Sequence, residues 1–488
     1  MNYVNGTWRA TRDDFQSINP ATQEPVGSFP ESTSDEVSEA VEAASVAQKE
    51  WRKVSRVLRG ELLKKVAQLV EGKYFDRLCK TVSEETGKNY NESVAEVNEA
   101  LHMAEYAWGC AKQPCGEMIA SEIADKDGYM LRKPKGVVAV ISPWNFPVAI
   151  GGFWNAAPAL VEGNTVIWKP SEETPMCAQI IAEIYEEAGV PAGVFNLIHG
   201  AGPTGEELVH HDKVDVILFT GSAEVGRFIR MHCASTWHKT CSCELGSKSA
   251  CLVFDSIWES DSEMAMDACI ASSFKLSGQR CVSSGRHLIQ RSIYDDFCTE
   301  FSRRVASIKT GPYTDDKAFY GPLISQKQLT NVSKYNEMVR KDDQAEIIND
   351  GSYQGKGFFS LPFVYKTEWR DVPYLKEEVF GPHVALIPFD TVDDAIRIYN
   401  DTKFGLAVGI LTNSHIVARQ CRDECNYGMC YWNGGSIAAE SHFGFGGVGR
   451  SGNGHSSAAR TYQAVSHEVS WVVNHATSIQ FPQGMKAN

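Results

Sequence analysis

Along residues 34–72, apolar and small side chains recur at helical spacing through Val37, Val41, Ala44, Trp51, Leu58, Leu62, Val66 and Leu69, which predicts helix. A second helical run covers about 91–113. The period then changes. Val137–Ile141 is a short unbroken apolar run ended by Ser142-Pro143, the pattern of a strand buried on both faces. Thr165–Trp168, Val194–Ile198 and Val214–Phe219 read the same way, and helix-like stretches near 150–161, 175–188, 203–210 and 223–235 separate them. Strand and helix alternating at this spacing imply right-handed βαβ units and a parallel sheet. From about 250 to 440 the texture returns. Leu252–Phe254, His287–Ile289, Val384–Ile387 and Val408–Leu411 are strand candidates, with helices expected near 262–275, 292–308 and 391–400. A second α/β domain is expected there. The tail, Val465–Val473, alternates as a strand does and needs a pairing partner. Ligands of parallel sheets bind beyond the carboxyl ends of the strands, so the loops after these runs are where chemistry is expected.

The chain has 488 residues, 43% of them AVILMFWYC and 22% charged. That is ordinary globular usage, enough for about three domains. The 61 acidic and 47 basic residues give a formal net charge of −14. Such a chain repels phosphate backbones, so no nucleic-acid partner is expected. No run approaches the ~20 apolar residues of a membrane span, and the start lacks a basic segment followed by an apolar one. A cytoplasmic protein with no membrane partner is expected. Its 14 cysteines then read as reduced thiols. Neither Cys-x-x-Cys nor His-Glu-x-x-His spacing occurs, so no metal is expected.

Two stretches fit Gly-x-Gly-x-x-Gly: Gly200–Gly205, after a strand and before a helix, and Gly444–Gly449, in a glycine-rich loop. Two matches in one chain show how little the pattern says alone. Phe219-Thr220-Gly221-Ser222 closes an apolar strand and opens a helix whose free N–H groups suit a pyrophosphate, with Ser222 as cap; a plain βα turn is the alternative. Trp168-Lys169-Pro170-Ser171-Glu172 leaves another strand end. Lys169 and Glu172 could bond the hydroxyls of an adenosine ribose, Glu172 then disfavouring a 2′-phosphate, or they could be a surface pair. In Pro143-Trp144-Asn145-Phe146-Pro147 two prolines stiffen a loop around Asn145, whose amide suits an oxyanion donor or a structural turn. Cys281 follows Gly278-Gln279-Arg280, and the adjacent cation would favour thiolate; Cys233, Cys251, Cys269 and Cys298 lie in periodic apolar runs and read as core. Glu244-Leu245-Gly246 and Glu377–Pro382 each offer a carboxylate in a turn.

Taken in order, Pro-Trp-Asn-Phe-Pro, Lys-Pro-Ser-Glu, Phe-Thr-Gly-Ser, Glu-Leu-Gly, Gly-Gln-Arg-Cys and Glu-x-Phe-Gly-Pro make the chain resemble the aldehyde dehydrogenase superfamily, NAD-dependent and hydrolytic in type. The likeness runs to a Phe-Gly-Gly-x-x-x-Ser-Gly variant at Phe445–Gly452. It implies an α/β subunit in three parts: a Rossmann-like NAD-binding domain over 1–115 and 134–245, a catalytic domain over 246–446, and oligomerisation segments at 116–133 and 465–488 that build a homodimer or homotetramer. It implies that Cys281 attacks an aldehyde, that Asn145 and the Cys281 N–H hold the oxyanion, and that Glu244 activates the hydrolytic water. Trp144, Lys169, Ser171, Glu172, Gly221, Ser222, Val225, Gly246, Glu378 and Phe380 would meet NAD, leaving Gly200–Gly205 as a decoy.

Two features depart from the pattern. Glu244 and Cys281 stand a little further apart than is usual, and the extra residues are expected in a loop at Ser256–Ser260. Ser247 replaces a second glycine after Glu244. Arg280 resembles the arginine that antiquitin-like members direct at a substrate carboxylate, which suits an ω-semialdehyde acid; the alternative is tuning of the Cys281 thiolate. Phe153, Trp154 and Trp432 could wall an apolar tunnel or belong to the core. A CoA-acylating relative and a non-catalytic protein on the same fold are competing readings, and Glu244 counts against the first.

Overall fold

The computed structural model describes residues 1–9, 12, 14–454 and 457–482. Two seven-stranded sheets organise it. In the first, the strands Thr240–Glu244, Val216–Thr220, Val137–Ile141, Thr165–Lys169 and Phe195–Leu197 lie side by side in that order, all parallel, and the short strands Tyr3–Val4 and Thr7–Trp8 extend the edge antiparallel. The central strands are buried along their whole length, as expected when helices cover both faces. Helices Pro175–Glu187, Gly202–His210 and Ala223–Ala234 connect them close to the expected positions.

The amino-terminal helical run is broken. Ser34–Trp51 opens on a reciprocal cap between Thr33 and Glu36, and Arg56–Leu69 opens on Ser55, whose hydroxyl accepts from the Leu58 N–H. The apolar period passes through the break although the two helices pack largely on different core clusters and Leu58 is exposed; only the Ser55 cap signals the restart. A π-helical turn, Val70–Tyr74, leads into a further helix, Phe75–Thr86. The stretch expected as helix at 150–161 is π-helical over Ala149–Asn155 and α-helical over Ala156–Val161.

The second sheet runs Glu346–Asn349, Phe363–Lys366, His383–Phe389, Arg286–Gln290, Ala250–Val253, Ala407–Leu411, Met429–Trp432, parallel except at the Glu346–Asn349 edge. Helix Gln326–Arg340 packs nearby; its polar composition hid it from a periodicity search. The stretch Ser256–Ser260, expected as an insertion loop, is helical. Asp255–Phe274 is two helical pieces meeting at Asp261, which is non-helical (φ −152°, ψ 67°). The Asp261 carboxylate accepts from the Met264 N–H at 3.0 Å and so caps the second piece, which begins where helix was expected.

The tail strand, Ser466–Asn474, pairs antiparallel with Lys126–Pro134 over its full length, and Gly116–Ile119 completes a three-stranded sheet. Residues 483–488 of the expected oligomerisation segment lie outside the described residues.

Candidate active site

Four strands of the first sheet end at the same level: Ile141 is in register with Lys169 and Phe219, and Thr220 with Glu244. Their following loops open on one cavity of about 640 Å³. Trp144, Asn145, Glu172, Gly221, Ser222, Gly246, Cys281, Glu378 and Phe380 line it, together with Glu173 and side chains of the helix Gln326–Arg340. Residues spread over 237 positions of sequence thus face one space.

Cys281 sits partly exposed on this cavity, at the end of a strained turn. Leu276, Ser277 and Gly278 all have positive φ, at 56°, 56° and 68°. Two consecutive non-glycine residues in that region cost energy that surrounding contacts must offset. Those contacts are visible: Glu92 Oε1 accepts from the Leu276 N–H at 2.8 Å, and Ser277 Oγ donates to the carbonyls of Gly321 and Pro322. The Cys281 thiol is pushed up to about 12 by burial, then by the carboxylates of Glu378 and Glu244; Arg280 opposes this only weakly. The adjacent cation expected to favour thiolate is therefore outweighed.

Asn145 is buried, and its Nδ2 donates to the Gln279 carbonyl at 2.9 Å. One amide N–H is thereby fixed, which orients the other. The loop behind it is anchored by Glu96, whose Oε1 accepts from the Val148 and Ala149 N–H groups at 2.8 and 3.3 Å. Its Oε2 meets Lys88, a fully buried partner whose ammonium also lies over the Phe146 ring at 4.0 Å. Glu92 and Glu96 are one turn apart on the helix Tyr90–Cys110. That helix holds the Asn145 loop with one carboxylate and the Cys281 turn with the other. The sequence reading missed this pair. The available signal was two glutamates on the apolar face, in phase with Val97 and Ala100, where charges are almost never found unpartnered.

Glu244 ends its strand and is buried, with its carboxyl raised well above the usual range by desolvation. The Gly447 and Ser457 backbone N–H groups act on it in the opposite sense, and Oε2 has no partner. Gly447 belongs to the second glycine motif, so that loop faces a carboxylate. The first motif is also taken by one: Glu31 accepts from the Ala201 N–H and the Thr204 hydroxyl at the start of helix Gly202–His210. An anion already occupies the place a phosphate would need.

At the other end of the cavity, Ser222 caps helix Ala223–Ala234 by accepting from the Val225 N–H at 3.3 Å; the Val225 side chain points to solvent. Lys169 is no surface lysine. It is buried, and its Nζ donates to the carbonyls of Pro170 and Gly200 at 2.7 and 2.6 Å, which leaves one N–H free; burial lowers it to about 8. Ser171 is buried beside Glu172, with Oγ 3.5 Å from Glu172 Oε2. Glu378 accepts from the Ser247 N–H at 2.7 Å, and burial raises its carboxyl to about 7. A Cβ on Gly246 would lie 2.0 Å from Glu378 Oε2, so only glycine permits this approach. Phe380 (φ 57°) meets Trp144 edge-on at 5.5 Å, and Gln328 Nε2 donates to its carbonyl at 2.6 Å.

Three expected wall residues lie elsewhere. Phe153 and Trp154 are core side chains, packed on Tyr185 and Phe445, and neither lines the cavity. Trp432 is half exposed and donates to the Thr412 carbonyl. For Phe153 and Trp154 the aromatic side chain marks burial rather than a tunnel. Arg280 lies with its guanidinium 5.3 Å from the Phe146 ring centre and a buried Nε without a partner. Its charge also acts on Glu99, whose carboxyl burial raises to about 7.

The chain matches the model of the Aldehyde dehydrogenase family over residues 8–471. It is 36% identical over 463 residues to the alpha-ketoglutaric semialdehyde dehydrogenase of Bacillus subtilis, covering 92% of this chain and 93% of that one. The alpha-ketoglutarate semialdehyde dehydrogenase of Haloferax volcanii is 33% identical over 458 residues, with the same coverage. Among solved structures, betaine aldehyde dehydrogenase from Staphylococcus aureus in complex with NAD+ superposes with a TM-score of 0.93 at 29% identity, covering 100% of this chain and 97% of that one. Two α/β sheets, a cysteine on a strained turn facing the strand ends, and a match over nearly the whole length lead to one statement: the chain belongs to the aldehyde dehydrogenase family.

Proposed function

We propose that the protein oxidises an ω-semialdehyde acid to the dicarboxylic acid, with NAD as the oxidant. The observation that carries this reading is the placement of Cys281, beside the Asn145 amide and next in sequence to the partner-free Nε of Arg280. The cavity suits a dinucleotide: Lys169 keeps one free N–H near Glu172, Ser222 heads a helix, and Gly246 leaves room beside Glu378. When bound, the nicotinamide supplies the acceptor for the hydride that leaves the aldehyde carbon.

The side chains do the rest. Cys281 Sγ, deprotonated, adds to the carbonyl carbon, and the oxygen becomes an oxyanion held by the free Asn145 N–H and the Cys281 backbone N–H. Loss of hydride from that carbon restores the carbonyl as a thioester. Glu244 takes a proton from water, hydroxide adds to the thioester, and the acid leaves as the thiol regains its proton. A carboxyl raised by burial suits a base that must later release that proton. Glu244 near Cys281 favours this hydrolytic route over acyl transfer to CoA. Lys169, Ser171 and Glu172 would hold the adenine ribose, Ser222 and Val225 at the head of their helix the pyrophosphate, and Glu378 the nicotinamide ribose. Trp144 and Phe380 would line the nicotinamide pocket, with Gly221 and Gly246 keeping the path clear.

Arg280 binds the distant carboxylate, in keeping with the semialdehyde named in both curated relatives. The test is NADH formation with matched aldehydes, with and without a terminal carboxylate. The carboxylate series should gain at least tenfold in kcat/KM, about 1.4 kcal/mol, and Arg280→Ala should erase the gain while leaving neutral aldehydes unchanged. Equal rates for the two series would remove the substrate assignment.

The protein is further proposed to act in the cytoplasm as a homodimer or homotetramer. None of the 14 cysteines forms a disulfide, which suits a reducing compartment. Among the described residues no helix is long and apolar enough to cross a membrane. Trp471 and Val472 on the tail strand, and Met118 and Ile119 on the same small sheet, are exposed, which suits burial against another copy.

A further inference from the structure

Beneath the nucleophile turn lies a second group of reactive side chains that the oxidation does not use. Cys251 is on the strand Ala250–Val253, and His287 stands opposite it in register on Arg286–Gln290. Cys269 comes from the helix Asp255–Phe274, which covers that face of the sheet. Both thiol sulfurs and one imidazole nitrogen lie within 4.8 Å of one another, and all three residues are fully buried. No other such group of three occurs among the described residues.

The hydrogen bonds around His287 settle its tautomer. Ser273, one turn beyond Cys269, has its hydroxyl 3.1 Å from the Ser284 carbonyl, to which it can only donate. The same Oγ lies 2.8 Å from His287 Nε2 and must there accept, so Nε2 carries the proton. Nδ1 is then a buried lone pair facing the Cys251 thiol, with no partner of full hydrogen-bond geometry. A histidine whose other nitrogen is pinned by a neighbour is the usual arrangement of a metal ligand. The Ser284 hydroxyl, 3.5 Å from Cys251 Sγ, would have to turn from the Ser436 hydroxyl, 2.9 Å away, to take a fourth position.

We propose that Cys251, Cys269 and His287 bind a thiophilic divalent d10 cation, zinc being the ion expected. Two sulfurs and one imidazole nitrogen, with an oxygen in fourth place, suit tetrahedral zinc. Binding forms two S–metal bonds and one N–metal bond and releases two thiol protons; nothing is oxidised or reduced. Two thiolates neutralise a divalent ion, so the buried site carries no net charge, which an unpaired buried charge could not achieve. Burial without a path to solvent suits a structural ion taken up during folding. The ion would tie the strand Ala250–Val253 and its covering helix to Ser284, three residues after Cys281. No motif search finds such a site, because its ligands come from two strands and a helix instead of one short repeat.

The test uses the full-length protein in a Cys281→Ser background, which removes the active-site thiol and keeps this proposal separate from the catalytic one. Protein expressed with added Zn²⁺ should carry one zinc per chain by mass spectrometry. Protein expressed with Co²⁺ should show thiolate-to-cobalt charge-transfer absorption. Cys269→Ser and His287→Gln should lose both, whereas Cys233→Ser should keep them. Less than a tenth of an equivalent in the parent, or undiminished binding in Cys269→Ser, overturns the site and leaves three core side chains. Should those variants fail to fold, the parent decides alone: the thermal midpoint of the zinc-grown protein should exceed that of chelator-grown protein by several degrees. Equal midpoints overturn the proposal.

Discussion

Cys281 shows how far chemistry can depart from sequence context. Beside Arg280 it reads as an activated thiol, but burial and two carboxylates push it up to about 12. In the cofactor-free enzyme, alkylation of Cys281 followed on its own peptide should keep rising past pH 10, whereas an ordinary thiol levels off near its pKa of ~8.5. At pH 8 the Glu378 carboxyl, raised to about 7, is ionised and opposes thiolate formation. Glu378→Gln removes that anion, so alkylation at pH 8 should speed up severalfold; a rate that stays put or falls would deny the coupling. Glu244 is proposed to act after hydride transfer. Glu244→Gln should give a first-turnover burst of NADH close to one per site and then a steady state slower by ~10²-fold or more. An unaltered steady state would remove it from deacylation. Both side chains were readable as candidates from the ordered motifs. Their proton affinities were not, because these depend on which carboxylates the fold brings near.

The helix Tyr90–Cys110 is where a single element governs two loops. Its apolar stripe was legible over about 91–113, but the stripe hid Glu92 and Glu96, which stand in it as charges. Glu96→Ala strands the buried Lys88 ammonium and frees the Val148 and Ala149 N–H groups. A loss of about 3–5 kcal/mol follows for a broken buried pair, read as a fall in the unfolding midpoint. Lys88→Met combined with Glu96→Leu should recover most of the stability, since an apolar pair replaces an ion pair. It should not recover kcat, because the Asn145 loop still lacks its acceptor. Recovery of both would make the pair purely structural. The break at Arg52–Ser55 and the restart at Asp261 teach the same lesson at element scale. Hydrophobic period reports which face is buried, and only local capping chemistry reports where a helix stops.

At the scale of the molecule, the tail strand Ser466–Asn474 is an edge. It pairs with Lys126–Pro134 on one side, and Trp471 and Val472 are about 60% exposed. An exposed edge strand with apolar side chains invites another chain. Trp471→Asp with Val472→Asp should shift the protein to a smaller assembly by analytical ultracentrifugation while leaving its circular dichroism intact. An unchanged sedimentation coefficient would place the interface elsewhere.

The sequence by itself determined the alternation of strand and helix, the two α/β units, the pairing need of the tail and the six motifs, four of them at strand ends. These follow from local period and local turn chemistry, which any short window contains. It also offered Cys281, Asn145 and Glu244 as candidates, through the resemblance that the six motifs carry when taken in order. Only the tertiary structure decided that Phe153 and Trp154 are core, that Glu31 fills the first glycine motif, and that Glu92 and Glu96 hold the Cys281 turn and the Asn145 loop. Only it brought Cys251, Cys269 and His287 together. Partners tens to hundreds of residues apart leave no mark on a local window, because sheet register and helix docking set their distances. Burial, which sets the proton affinities, is fixed by the same packing.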